Sequence, residues 1–185
     1  MEEQAAGGRI NPGTGAHRSG LRLALFEPDR PHNLGMVLRL GACLGVAVDV
    51  VEPCGFPLDD RRIKQGALDY AGHVAWRRHA SLRDFLAFCA GEGQRRLVLL
   101  STRGDLPYHR AVYRGDDVLM LGRESAGVPD SVHGLADLRV RVPLRPGLRS
   151  LNVAIAAAVV LGEALRQTGD LDRLAGPTTC AAGER

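Results

Sequence analysis

A chain of 185 residues with 45% hydrophobic content is long enough for one domain with a substantial core, and one compact domain is the expectation. The net charge is only +3, but Arg far outnumbers Lys and the isoelectric point is near 8.9, which favours an anionic partner over a basic one without identifying it. Cys43, Cys54, Cys89 and Cys180 stand apart, with no C-x-x-C pair and no Cys/His run at zinc-ligand spacing, so a reduced, metal-free protein is the simplest reading.

Residues 1–20 are rich in Gly, Ala and polar residues and lack the apolar core of a secretory signal. They read as a disordered N-terminal extension. No apolar run reaches membrane-spanning length, and a cytoplasmic protein without membrane contact is expected. From there, short β-rich apolar runs alternate with amphipathic stretches, the pattern of a mostly parallel sheet covered by helices. Strands are predicted at Leu21–Glu27, Val46–Glu52, His73–Trp76, Arg96–Ser101, Asp117–Leu121 and Leu138–Val142. Helices are predicted at Asn33–Leu44, Leu58–Gly66, Ser81–Ala90, Pro129–Leu135 and Leu151–Gln167, with Ser81 and Asp130 where caps belong. Periodicity is lost after the last helix, so residues 170–185 read as a loose tail. The folded domain spans 21–169, about 150 residues, leaving no room for a separate RNA-binding module.

Open α/β sheets bind ligands outside the carboxyl ends of their strands. Three loops qualify: Ser101–Gly104, Gly122–Gly127 and Pro143–Asn152. In the middle loop two glycines bracket Glu124 just after an apolar strand, which lets backbone approach a ligand while the carboxylate stays within reach. A plain strand-to-helix turn with a solvated Glu fits the same residues. Two sharper motifs fail here. A Walker A loop needs Lys where Val128 stands, and a hydrolase elbow needs Gly where Arg123 stands. No G-x-G-x-x-G follows the first strand. Nucleotide hydrolysis, serine-ester hydrolysis and a Rossmann dinucleotide site all lose support.

Over about Leu21 to Gly169 the chain resembles the SPOUT tRNA (cytidine/uridine-34-2′-O)-methyltransferases. The resemblance rests on ordered motifs: Leu25-Phe26-Glu27-Pro28, Asn33-Leu34-Gly35 with Arg39, Glu52-Pro53 with Gly55-Phe56, and Leu68-Asp69-Tyr70. It continues through Leu119-Met120-Leu121-Gly122-Arg123-Glu124, Val142-Pro143 and Arg149-Ser150-Leu151-Asn152. Arg123 stands where this family often has Pro. The implied fold is a six-stranded parallel sheet whose C-terminal segment forms a deep trefoil knot, a feature composition alone never predicts. The implied activity is S-adenosylmethionine-dependent 2′-O-methylation of a ribose in RNA, at the wobble nucleotide 34 of tRNA, by a homodimer that takes an anticodon stem-loop. Ribosomal RNA as substrate, or an inactive RNA-binding module of the same fold, remain open alternatives.

By matching positions, the resemblance implies a cofactor pocket of Leu100, Thr102, Gly122, Val142, Leu144, Ser150 and Leu151. The aliphatic members suit an adenine slot, and equally suit ordinary core packing. It implies catalytic roles for Arg39, Asn33, Glu124, Ser150 and Asn152. Arg39 would clamp phosphate and stabilise charge on the reacting oxygen, with Asn33 facing the same end of the sheet, and Glu124 would orient Arg39 or a substrate group. Ser150 and Asn152 would hydrogen-bond ribose and cofactor. Alternatively Arg39 is a surface salt-bridge partner and Ser150 an N-cap. RNA contacts are expected from Arg61, Arg62 and Lys64, from Arg77, Arg78 and His79, and from Arg145 and Arg149. Two departures bear on activity or substrate: Ala154, where many relatives carry Ser, and Gly162, where wobble-base enzymes carry Tyr. Gly162 inside a helix also points to close packing there.

Overall fold

Alternation along each apolar run assigns its residues to one of two sheet faces. In β1 (Arg22–Phe26), Leu23 and Leu25 enter one buried cluster while Ala24 and Phe26 enter another. The same split places Leu119 and Leu121 of β6 (Val118–Leu121) opposite Val118 and Met120. With both faces buried, neither strand has a polar side, which is why these runs read as continuously apolar. The computed structural model from which this is read describes residues 19–59 and 61–176, apart from the side chains of Asp69 and Ala71.

The remaining strands are β2 (Ala47–Val51), β3 (Trp76–His79), β4 (Leu97–Leu100), β5 (Leu106–Pro107) and β7 (Leu138–Arg141). All pair in parallel, in the order β3-β2-β1-β6-β4-β7-β5. One face is covered by α1 (Pro31–Leu44), α2 (Arg61–Ala67) and α5 (Val153–Thr168), the other by α3 (Leu82–Gly91) and α4 (Asp130–Leu135). Among the described residues no helix is long and apolar enough to cross a membrane.

The sheet therefore has seven strands rather than the expected six. The additional strand, β5, pairs Leu106 with Val140 and Pro107 with Arg141 at the sheet edge. Two residues ending in Pro show no periodicity, and an edge position tolerates the missing amide. The third strand also begins at Trp76, not His73. Its polar Arg77-Arg78-His79 reads as surface, but His79 is buried against Asp49, and Arg78 pairs with Glu52 at 2.8 Å.

Helix ends follow local chemistry. Ser81 caps α3 by accepting from the Asp84 amide, as expected. Asp130 does not cap α4: Pro129 is the cap residue, and Asp130 pairs with Arg103 at 2.9 Å. Helix α1 starts on Pro31 and stops at Gly45 in the left-handed conformation. The expected loose tail begins with structure. A sixth helix, α6 (Asp170–Ala175), follows Gly169 at φ 73°, and its buried Asp170 accepts from the Ser19 hydroxyl. Residues 177–185, with Cys180, lie outside the described residues, as does the expected N-terminal extension except Ser19 and Gly20.

Glycine marks one close helix contact. A Cβ on Gly35 of α1 would lie 2.3 Å from the Ile63 carbonyl oxygen and 2.8 Å from Gly66 Cα of α2. Gly162 behaves oppositely to expectation: a Cβ there would meet nothing within 4 Å, so no close packing explains it.

Candidate active site

Four segments at the carboxyl ends of the strands enclose a cavity of about 550 Å³. Three are the loops after β4, β6 and β7, and the fourth is the β1–α1 connection, which contributes Arg30 and Asn33. All seven expected cofactor residues, Leu100, Thr102, Gly122, Val142, Leu144, Ser150 and Leu151, line this one cavity. Asn33, Glu124 and Asn152 line it as well. Arg39 does not.

The middle loop is held tightly. Arg123 and Gly127 exchange both backbone hydrogen bonds at 2.9 Å, and Gly127 takes φ 69°. A Cβ on Gly122 would lie 2.5 Å from the Gly127 carbonyl carbon, so a side chain at 122 is sterically excluded. This closed turn directs Glu124 back toward the β1–α1 connection. Its Oε1 accepts from Asn33 Nδ2 at 3.0 Å and its Oε2 from the Asp29 amide at 3.2 Å. In return the Asp29 side chain accepts from the Glu124 and Ser125 amides and from the Ser125 hydroxyl. Arg123 reaches the same connection by pairing with Glu27. Burial, then the neighbouring Asp29 carboxyl, raise the Glu124 pKa above the usual carboxylate value. Asp29 is lowered to about 2, chiefly through its side-chain hydrogen bond with Glu124 and then those from Ser125.

Asn33 passes this network on to the last helix. Its Oδ1 accepts from Asn152 Nδ2 at 3.0 Å, while Asn152 Oδ1 caps α5 by accepting from the Ala154 amide at 2.9 Å and the Ile155 amide at 3.4 Å. The cap is thus Asn152, and Ser150 remains on the cavity wall. One line of hydrogen bonds joins the loop after β6, helix α1 and the start of α5.

Within one chain Glu124 is hydrogen-bonded to Asn33 and not to Arg39. At about 100° per residue, positions 33 and 39 sit roughly 120° apart around α1. Asn33 is buried at the cavity, whereas Arg39 is exposed, with its guanidinium carbon 5.2 Å from the centre of the Tyr70 ring. Arg149 lies on the cavity wall as well. Further wall residues escape the sequence reading: Arg30, His133, Ala156 and Val160. Ala156 and Val160 share one face of α5 at four-residue spacing.

The site's residue types fit S-adenosylmethionine. The volume lies within the range of small-molecule sites, aliphatic side chains suit a purine, and the absence of a side chain at Gly122 keeps backbone open to a ligand's polar edge. A parallel sheet with such a cavity at its carboxyl edge defines an α/β protein built to hold a nucleoside-sized cofactor. The sequence pattern of the SpoU rRNA Methylase family matches residues 20–162, and the chain belongs to that family.

Relatives sharpen the class. The chain is 55% identical over 152 residues to a tRNA (cytidine(34)-2′-O)-methyltransferase of Beijerinckia indica, covering 82% of this chain and 94% of that one. It is 40% identical to the enzyme of that name from Escherichia coli K12, covering 80% and 94%. Among solved structures, one described as giving insights into 2-OH methylation of C/U34 on tRNA superposes with TM-score 0.76 at 37% identity, covering 80% and 95%. The SpoU methyltransferase AviRb from Streptomyces viridochromogenes, in complex with AdoMet, superposes with TM-score 0.73 at 25% identity, covering 87% and 64%.

Proposed function

We propose that this protein uses S-adenosylmethionine to methylate the ribose 2′-oxygen of nucleotide 34 in tRNA. The carrying observation is that all seven expected cofactor residues meet in one cavity, whose rim holds the Asn33–Glu124–Asn152 network. The level of identity to two tRNA (cytidine(34)-2′-O)-methyltransferases favours tRNA over ribosomal RNA.

When bound, the cofactor supplies an electrophilic methyl group on sulfur. Leu100, Val142, Leu144 and Leu151 hold its apolar part, Gly122 allows backbone approach, and Thr102 and Ser150 offer hydroxyls. The protein's task is alignment of the two reactants and stabilisation of charge on the ribose oxygen as its proton leaves. The Glu124–Asn33–Asn152 line keeps the walls at fixed separation, so alignment is not remade in each turnover. Arg39 grips phosphate beside the reacting hydroxyl with its forked guanidinium donors, which leaves proton removal to that phosphate or to water.

Arg39 points away from its own cavity, so this role places it in the cavity of a second copy. A homodimer is the working unit, and the exposed apolar face of α5, with Ile155 46% and Val159 36% exposed, supports such a contact. The segment after β7 forms a trefoil knot. Support comes from membership of the SpoU family and from α5, which follows β7 and lines the cavity beside Ser101–Arg103. In this reading the enzyme works in the cytoplasm, which the tRNA-modifying relatives support.

The test is methylation of total tRNA by the purified chain with labelled S-adenosylmethionine, followed by mapping of the product nucleotide. Label at ribose 34 is the expected result, and label confined to ribosomal RNA overturns the substrate. Arg39→Ala should abolish transfer with cofactor affinity nearly intact, and Arg39→Lys should rescue poorly because an ammonium lacks the planar two-pronged grip.

A further inference from the structure

Outside the cavity, one exposed arrangement combines a cation, an aromatic ring and an unusual backbone. Arg39 lies over the ring of Tyr70 at 5.2 Å, and among the described residues that ring is its only specific side-chain partner. Tyr70 is itself 38% exposed and sits in a short 3-10 turn, Leu68–Gly72. Leu68, at the start of that turn, takes φ 51°, a left-handed conformation leucine rarely adopts, while its side chain remains 52% exposed. Burial of Leu68 therefore does not account for the turn. What the turn does accomplish is to bring the chain leaving α2 back beside α1.

The spacing of this contact is set nearby. Gly35 and Gly66 touch backbone to backbone, with the Cβ position of Gly66 lying 3.1 Å from Gly35 Cα. Arg39 follows Gly35 by four residues and Tyr70 follows Gly66 by four, so the stack lies about one turn beyond the glycine contact. A residue with a side chain at either glycine would push the two segments apart and open the stack.

We propose that Tyr70 is a positioning residue for Arg39. A long side chain with no ion pair explores many rotamers, and a ring beneath the guanidinium removes most of them while leaving its donors free for phosphate. The ring is thus the part of this chain that keeps Arg39 ready to grip RNA. The proposal rests on the reading of Arg39 as the phosphate clamp.

The experiment compares Tyr70→Phe, Tyr70→Leu and Arg39→Ala in the full-length protein, measuring kcat, KM for tRNA, affinity for S-adenosylmethionine and Tm. Tyr70→Phe keeps the ring and should retain kcat within about threefold, whereas Tyr70→Leu should lose kcat on the order of tenfold with cofactor affinity and Tm unchanged. Full activity in Tyr70→Leu, beside an inactive Arg39→Ala, overturns the positioning role and leaves the Arg39 reading standing. A loss in Tyr70→Phe equal to that in Tyr70→Leu also overturns it, by assigning the effect to the hydroxyl. Normal turnover in Arg39→Ala overturns both. A Tm and cofactor-affinity loss in Tyr70→Leu that parallels the kcat loss shows a merely structural ring, and overturns the proposal too.

Discussion

Asn33 donates to Glu124 and accepts from Asn152, each at 3.0 Å, so one buried amide joins a loop after the sheet centre to the cap of the last helix. These residues lie far apart in sequence, and their junction fixes the distance between two walls of the cavity.

Asn33→Ala removes both bonds at once. Leaving the half-buried Glu124 carboxylate without this donor should cost about 1–3 kcal/mol of stability. Denaturant unfolding checks that value, and a methylation assay at saturating cofactor should show turnover reduced well beyond the loss of folded protein. Unchanged turnover would show that wall spacing does not limit the reaction.

Gly122→Ala and Gly162→Ala should act in opposite directions. At Gly122 the new methyl meets the Gly127 backbone at 2.5 Å, and overpacking of this kind costs about 1–3 kcal/mol. That loss should show in denaturant unfolding, and displacement of the loop should also weaken cofactor affinity by titration calorimetry. At Gly162 the methyl enters open space inside a helix, and stability should rise by about 1 kcal/mol. A thermal scan showing Gly162→Ala destabilised would mean that another surface occupies that space.

Val159→Glu places a charge on the exposed apolar face of α5. The expected outcome in light scattering is a monomer, and with it loss of methyl transfer, because Arg39 then has no second cavity to enter. A fully active monomer refutes the assignment of Arg39 to the partner's site.

The Arg22–Asp49–His79 cluster predicts acid sensitivity. Asp49 is fully buried and accepts from Arg22 at 2.6 and 3.0 Å and shares a 2.8 Å hydrogen bond with His79. Burial alone would raise its pKa, but the hydrogen bonds with His79 and Arg22 outweigh it and bring the carboxyl below its ordinary 3.8. The folded value is thus depressed, so this stabilisation is present above the unfolded pKa and is lost as pH falls below about 3.8. Asp49→Asn should cost about 3–5 kcal/mol at pH 7, since it leaves Arg22 without its counter-charge, and should flatten the acid limb of a stability–pH curve.

The amino-acid sequence by itself determined the sheet's buried strands, the long helices and the wall of the cavity. Local signals suffice for these: continuous apolar runs in Leu21–Glu27 and Asp117–Leu121, spacing in Leu151–Gln167, and glycines bracketing Glu124. The family resemblance picked out seven residues that meet in the cavity, because each loop contributes its own short motif. Tertiary structure alone decided what depends on a distant partner. Strand β5 exists because Val140 and Arg141 offer a free edge to two residues. His79 enters the interior because Asp49 awaits it there, and Asp170 because Ser19 and Arg173 satisfy its carboxylate. The direction of Arg39 was likewise settled by helix phase and by the ring of Tyr70, and neither is visible in the spacing between Asn33 and Arg39. Hydrophobic periodicity reports which face a residue takes, whereas pairing of buried polar groups depends on which elements the fold brings side by side.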